Sequence, residues 1–343
     1  MRSKATGKVC IIASVVGCIA VLALCIRAGS VYISLSDLIK IIWSHVTGNN
    51  PGNVAPMTDS IFWTIRVPRA LTAFLVGGAL SVSGAVMQSL LQNPLASSYT
   101  LGISSGASLG AALVIIFSAS LPFYSQACLP VAGFVMGLLT VGIVLVLSMR
   151  IDRAVSNTTV ILIGMIVSLF VTGVMNLLAT IYPDHYKQLW MWMTGSFSSR
   201  TWTHVAILFP VCLAGTLILI CFARELNIMS FGDEQASSIG VDSRKMKIIM
   251  IVVSSVLTGV SVAFTGVIGF VDLAAPHAVR RIFGPDSRIV IPMSFVYGGA
   301  FMALCDLLAR TVISPREIPV GAVTALVGAP FFAYVFLRER RHS

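Results

Sequence analysis

Charge is what this sequence has least of. Charged residues make up 10% of its 343 positions, against about 25% in an average soluble domain. Acids are the scarcer sign, with 13 Asp and Glu against 23 Lys and Arg, for a formal net charge of +10. With 57% hydrophobic residues and a mean hydropathy of +0.92, the chain is not an ordinary soluble domain. The positive balance does not argue for nucleic acid as a partner either. The basic residues sit between apolar runs, where membrane topology places them.

Catalytic signatures are missing too. Nothing matches G-x-x-x-x-G-K-[ST], so the chain has no visible means of hydrolysing ATP. There is no H-E-x-x-H and no nucleophile elbow, and the five histidines are scattered. The seven cysteines, Cys10, Cys18, Cys25, Cys128, Cys212, Cys221 and Cys305, lie in or beside apolar runs without metal-ligand spacing. They read as small apolar packing residues. The chain is therefore expected to be no enzyme and to bind no cofactor or metal.

What is there instead is uncharged length. Runs at 9–26, 70–91, 127–149, 159–181, 205–222, 248–271, 289–305 and 319–337 approach or exceed the roughly 20 residues that span a bilayer. A β-barrel would show short alternating segments. The pattern predicts an all-α polytopic membrane protein, a single transmembrane domain over 1–343 with about ten helices. Their expected places are about 9–27, 67–91, 100–118, 127–149, 156–181, 203–222, 245–266, 271–283, 289–309 and 319–337. Arg2, Lys4 and Lys8 precede the first run as in a signal peptide, but that run continues through Cys25 without a clean cleavage site. An uncleaved first helix is expected. With the N-terminus in the cytoplasm, fifteen Lys and Arg fall inside and eight outside, which favours both termini inside.

Two polar connections then lie outside, 28–62 and 182–202, the second carrying Trp190, Trp192 and Trp202 toward the membrane–water interface. Inside, 223–247 is the longest polar segment, with helical character around DEQASSIG. Ser83-Gly84 precedes Asn93-Pro94 at the spacing with which Thr265-Gly266 precedes Ala275-Pro276, an arrangement that an inverted repeat would produce. Ionisable groups at membrane depth are functional candidates by default. Asp272 lies in GFVDLAAPHAVRR, beside a polar helix break at Pro276, where His277 caps, packs or serves transport. Asp306 and Arg310 stand four apart, as an intrahelical ion pair would.

Read in order, RVPRAL, SGAVMQSLLQNPLASSYTLGISSGASLG, WMTGSFSSRTW, FGDEQASSIGV, TGVIGFVDLAAPHAVRRIFGPDSR and DLLARTVISPREIPVGAVTALVGAPFF resemble the permease subunits of ABC importers for iron chelates, haem and vitamin B12. The likeness covers nearly the whole chain after the first helix. It implies a type II ABC importer permease fold in a bacterial plasma (inner) membrane, working as a pair of identical or related chains. It also implies two cytoplasmic ATPase subunits, which carry the ATP, and an extracytoplasmic substrate-binding protein. By motif, docking of that protein falls to Arg66, Arg69 and Arg310, whose guanidinium forks match carboxylates. Pro68 suits the first turn of the helix that follows. Coupling to the ATPase falls to 231–241, with Gly232, Asp233, Glu234, Ala236 and Gly240, the small residues permitting close seating. Gln88, Asn93, Pro94, Asp272, Pro276 and His277 are candidates for the translocation pathway. The chain departs from the family's usual pattern in having Asp272 where glycine stands, and Ser98 near a common proline.

The expected function is uptake of a ferric siderophore or related iron chelate by alternating access, with haem and cobalamin open within the same family. The rival class is a proton-driven secondary transporter using Asp272, Asp306 and Glu317 as relay groups. An intramembrane enzyme would need an acid, base or metal constellation that the sequence does not offer.

Overall fold

The computed structural model describes residues 4–29, 34–47, 55–118, 127–152 and 154–340. Ten helices stand where the apolar runs predict them: α1 (Lys4–Arg27), α4 (Val67–Leu90), α5 (Ile103–Phe117), α6 (Cys128–Ile151), α7 (Asn157–Ile181), α9 (Trp202–Cys221), α12 (Ser243–Thr265), α13 (Val271–Phe283), α14 (Ser287–Thr311) and α15 (Val320–Arg340). Five shorter helices connect them: α2 (Leu35–Thr47), α3 (Pro56–Ser60), α8 (Tyr186–Met193), α10 (Ala223–Met229) and α11 (Asp233–Ser238). Seven of the long segments are long and apolar enough to cross a membrane, and α5 and Val320–Ala333 are shorter apolar helices.

One boundary differs from expectation. The second membrane helix does not begin near Pro68. A continuous helical segment runs from Pro56 to Leu90, with a π-helical turn at Ile61–Arg66 joining α3 to α4. Pro68 holds the second position of α4. It offers no N–H to the preceding turn, and a π-turn absorbs such an interruption without ending the helix.

α4 is the centre of the bundle, buried along nearly its whole length and packed on α14, α12, α13 and α9. Small residues make this approach possible. A Cβ at Gly77 would stand 2.3 Å from the Gly298 carbonyl oxygen on α14. One at Gly84 would stand 1.9 Å from the Asp272 carbonyl oxygen on α13.

Two short helices begin inside the bundle. Gly102, at φ +83°, turns the chain into α5 against Thr140 of α6 and Ser168 of α7. Phe270, at φ +70°, turns the chain into α13 against α4. The two entry segments touch, because Tyr99 Oη donates to the Ile268 carbonyl at 2.8 Å. The echo expected from sequence is thus misplaced. Gly84 lies within α4 and Gly266 caps α12, so those glycines are not counterparts. The corresponding features are the two half-length helices that each follow a long one.

Candidate functional site

Three places gather the polar side chains that the lipid-facing surface excludes. The first is the end of α4 that carries Arg66 and Arg69. Arg69 is clamped by two carboxylates. Its Nε and Nη2 donate to Asp306 of α14 at 2.8–3.1 Å, and Nη1 and Nη2 donate to Glu317 at 2.6 and 3.1 Å. Arg310 stands one turn from Asp306, its Nε 3.6 Å from the carboxylate, and it also donates to the Cys25 carbonyl of α1. The expected Asp306–Arg310 ion pair is therefore present, but Arg69 is the partner in hydrogen-bond contact. Arg66 donates to the Arg27 carbonyl at 2.7 Å. All three motif arginines lie together, with backbones and side chains largely buried: Arg66 is 4% and Arg69 7% exposed. Glu317 is the open member of the cluster, its side chain 39% exposed.

Aromatic rings flank this end. Trp63 stacks on His45 with ring centroids 4.2 Å apart, and its carbonyl accepts the Trp202 indole N–H at 2.8 Å. That bond joins the π-turn at Ile61–Arg66 to α9.

The second place is the opposite end of the bundle. Gly232 and Gly240 bracket α11 at φ +117° and +90°, and a Cβ at either would meet open space. Their glycine identity answers backbone conformation. Packing inside the chain does not demand it. Ala236 is fully buried within this chain, so its small size answers packing against the chain's own core. Flanking α11 on either side, Phe231 and Ile239 are 74% and 69% exposed, and Glu234 within the helix is exposed as well.

A lysine that the sequence assigns only to topology anchors this segment. Lys247 of α12 is fully buried. Its Nζ donates to Asp233 Oδ2 at 2.6 Å and to the Val155 carbonyl at 3.1 Å. The 152–156 turn is itself organised by Asp152, which accepts from the Ala154 and Ser156 N–H groups at 2.9 Å each. Hydrogen bonds from Ser156, through hydroxyl and backbone, and from Ala154 hold the Asp152 carboxyl down to about 2.

The third place is the bundle interior. Ser83 of α4 joins the Ser98 hydroxyl, donates to the Ser254 carbonyl at 3.0 Å and accepts from Thr258 at 2.8 Å. Asp272 is buried at the first turn of α13. Its carbonyl accepts from Gln88 Nε2 at 3.2 Å, and Gln88 Oε1 accepts from Arg280. Arg280 also donates to the Ala85 carbonyl at 2.8 Å. Gln88 is thereby a bridge from α4 to α13, tied at both ends. His277 packs edge-on to Phe332 at 5.7 Å, and Pro276 is buried inside α13. Asn93 and Pro94 form the turn after α4, where Asn93 Oδ1 accepts the Leu95 N–H at 2.9 Å. Neighbouring Gln92 donates to Met229 of α10 at 2.9 Å, so this turn belongs to the α11 end.

None of the six pathway candidates lines a cleft of about 310 Å³ between α5, α7 and α8. Its walls come from Ser104, Ser108, Thr172, Asn176, Tyr186 and Trp190, among others. No group of three or more His, Cys, Asp or Glu residues suited to a metal ion occurs among the described residues.

Comparison with known proteins agrees with this architecture. The family model described as the FecCD transport family matches residues 17–338. An uncharacterised ABC transporter permease of Bacillus subtilis, YvrB, is 40% identical over 92% of this chain and 90% of its own length. The cobalamin import system permease BtuC of Halobacterium salinarum is 36% identical over 82% of this chain and 74% of its own. Among solved structures, an ABC transporter described as metal-chelate type, in an inward-facing conformation, superposes with a TM-score of 0.82. It is 28% identical and covers 94% of this chain and 98% of its own.

Proposed function

This chain belongs to the FecCD transport family, and from that premise we propose that it is the membrane permease of an ABC importer for a metal chelate. A ferric siderophore or related iron chelate is the leading substrate, and haem and cobalamin are the alternatives within the same family. The likeness to a metal-chelate type transporter and to a cobalamin permease supports that range.

The observation that carries the reading is the α11 end. The chain has no nucleotide-binding motif of its own, yet it holds Phe231 and Ile239 in the open on either side of the short helix α11. That helix is pinned from beneath by Lys247. Exposed apolar side chains at a polar end mark a protein contact. We assign them to a cytoplasmic ATPase subunit, one beneath each of two permease chains, with Gly232, Asp233, Glu234, Ala236 and Gly240 shaping the segment. The excess of Lys and Arg at that end supports cytoplasmic termini and a multi-pass place in the plasma membrane.

The opposite end is the docking surface for an extracytoplasmic binding protein. Arg66, Arg69 and Arg310 supply its positive potential, and Glu317 and Asp306 hold Arg69 between dockings. We assign the alternating-access movement to the two half-length helices, whose entry segments meet through Tyr99 and Ile268. Of the pathway candidates, Gln88, Asp272 and His277 act by joining α4, α13 and α15, with Pro276 inside α13 and Asn93-Pro94 in the turn that leads from α4 to the coupling end.

The test is gentle-detergent affinity purification from the native membrane, with mass spectrometry and a ligand screen on any captured extracytoplasmic protein. Recovery of an ATPase and a binding protein for a metal chelate is expected. Repeated recovery of this chain alone contradicts the proposal.

A further inference from the structure

The cavity between α5, α7 and α8 has a composition that says what it takes. Its polar groups are hydroxyls and one carboxamide: Ser104, Ser105 and Ser108 from α5, Thr172 and Asn176 from α7. No residue lining it carries a charge. Tyr186 and Trp190 of α8 cover it, their rings stacked with centroids 6.4 Å apart. Tyr186, Leu189, Trp190 and Met193 follow the spacing of one helical face, which turns Lys187 away from the cavity.

The α7 wall is a stripe. Ser168, Thr172, Asn176 and Thr180 recur every fourth residue, so they share one face. Thr172 and Asn176 are exposed on a helix that also exposes large apolar side chains suited to lipid, among them Leu169, Phe170, Leu177 and Ile181. Polar side chains at membrane depth are retained where they face protein or a water-filled path. Thr172 and Thr180 donate their hydroxyl protons to the Ser168 and Asn176 carbonyls at 2.8 and 2.9 Å. Their oxygens remain acceptors, and the Asn176 amide offers both signs of hydrogen bond.

We propose that this cavity is a substrate-contacting subsite for an uncharged metal chelate, one that presents amide, hydroxyl or hydroxamate groups rather than ionised carboxylates or catecholates. The inference rests on the importer reading above and narrows its substrate class. A polyanionic chelate would lose water here and find no cation, a cost that hydroxyl donors do not offset. A neutral chelate exchanges its water for the serine, threonine and asparagine groups, and its apolar body meets the Tyr186–Trp190 pair. The cavity lies at the lower end of the roughly 300–1,000 Å³ of small-molecule sites, so each chain grips part of the ligand. Discrimination arises from the penalty on the wrong charge as much as from contacts to the right ligand.

The experiment uses the full importer in liposomes: two permease chains, the ATPase and the loaded binding protein. A ferric trihydroxamate and cobalamin are the neutral probes, and ferric tris-catecholate and ferric citrate the anionic ones. ATP-dependent uptake of a neutral probe is expected. Asn176→Leu with Ser108→Val is expected to lower its turnover about tenfold, the loss of one or two net hydrogen bonds. ATPase stimulation by the binding protein should stay intact in that variant, which reports that it folds and docks, and Asn176→Gln should keep most of the uptake. Uptake dominated by an anionic probe overturns the proposal. So does unchanged neutral uptake in the double variant with stimulated ATPase intact. Wild-type protein that takes up no probe with ATP brings down the importer reading together with the subsite, a result distinct from both of these.

Discussion

Arg69 and Asp306 stand 237 residues apart in sequence and 2.8 Å apart in space. The pair fastens the start of α4 to the end of α14, and Glu317 completes the clamp from the segment before α15. Both Arg69 and Asp306 are nearly solvent-free, with side chains 9% and 2% exposed. Removing Arg69 leaves Asp306 only its 3.6 Å contact to Arg310, and removing Asp306 leaves Arg69 only Glu317, so each single loss costs less than the about 3–5 kcal/mol of a buried charge left wholly unpaired. Arg69→Ala or Asp306→Asn should therefore lower the unfolding midpoint of the detergent-solubilised chain. Arg69→Met with Asp306→Leu should recover most of the loss. A double variant as unstable as the sum of the singles would contradict this reading.

Glu317 shares Arg69 with Asp306 and is the more exposed carboxylate. If the binding protein docks through acidic side chains, Glu317 competes with it for the same donors. Glu317→Gln should tighten docking about 3–10-fold at low salt, by freeing charge-assisted hydrogen bonds. Surface plasmon resonance on nanodisc-held permease reads this directly. Weaker docking would mean that Glu317 helps to build the surface instead of blocking it.

At the other end, Phe231→Ala with Ile239→Ala should weaken ATPase binding at least tenfold. Each exposed side chain stands to bury apolar surface on contact, at about 25 cal/mol per Å². Chain stability should not change, because neither residue packs inside. Lys247→Met should behave differently, loosening α11 and lowering coupled ATPase activity while the apolar contact survives. Co-purification yield and ATP turnover, measured on both variants, separate grip from coupling.

Asp152 has its folded pKa at about 2, below the ordinary 3.8. A depressed carboxyl contributes above the unfolded value and loses its contribution as pH falls through the folded one. Amide protection at Ala154 and Ser156 should hold above pH 3.8 and fade toward pH about 2. Asp152→Asn should lower that protection at neutral pH. A wild-type profile flat across that window would refute the turn's dependence on the carboxylate.

The helices were legible because an apolar stretch bounded by charge or glycine leaves little choice in a bilayer. The expected 271–283 helix coincides with α13, which follows Phe270 and ends at Gly284. The entry to α4 was not legible, since the π-turn at Ile61–Arg66 shows no interruption that a periodic reading detects. The arginine motif is plain in the sequence, yet the carboxylate partners of Arg69 lie 237 and 248 positions away, beyond any local pattern. Lys247 counted only as a positive-inside charge. Its burial depends on Asp233 and Val155, which tertiary packing alone brings to it. Smallness in a motif does not say which side of a helix faces home, so the sequence alone does not place Ala236 against the chain's own core. The uncharged stripe on α7 stands at i, i+4 spacing in the sequence, but hydroxyls in an apolar helix are equally compatible with plain packing.

The central claim is that ATP on a partner subunit drives import through this chain. The most direct measurement is chelate uptake into liposomes holding the reconstituted complex, with the proton gradient collapsed by an uncoupler and ATP supplied or withheld on the ATPase side. Uptake that requires ATP and persists without the gradient is the predicted result. Uptake that survives removal of the ATPase and disappears with the gradient would contradict it, and would make Asp272, Asp306 and Glu317 the relay of a secondary transporter.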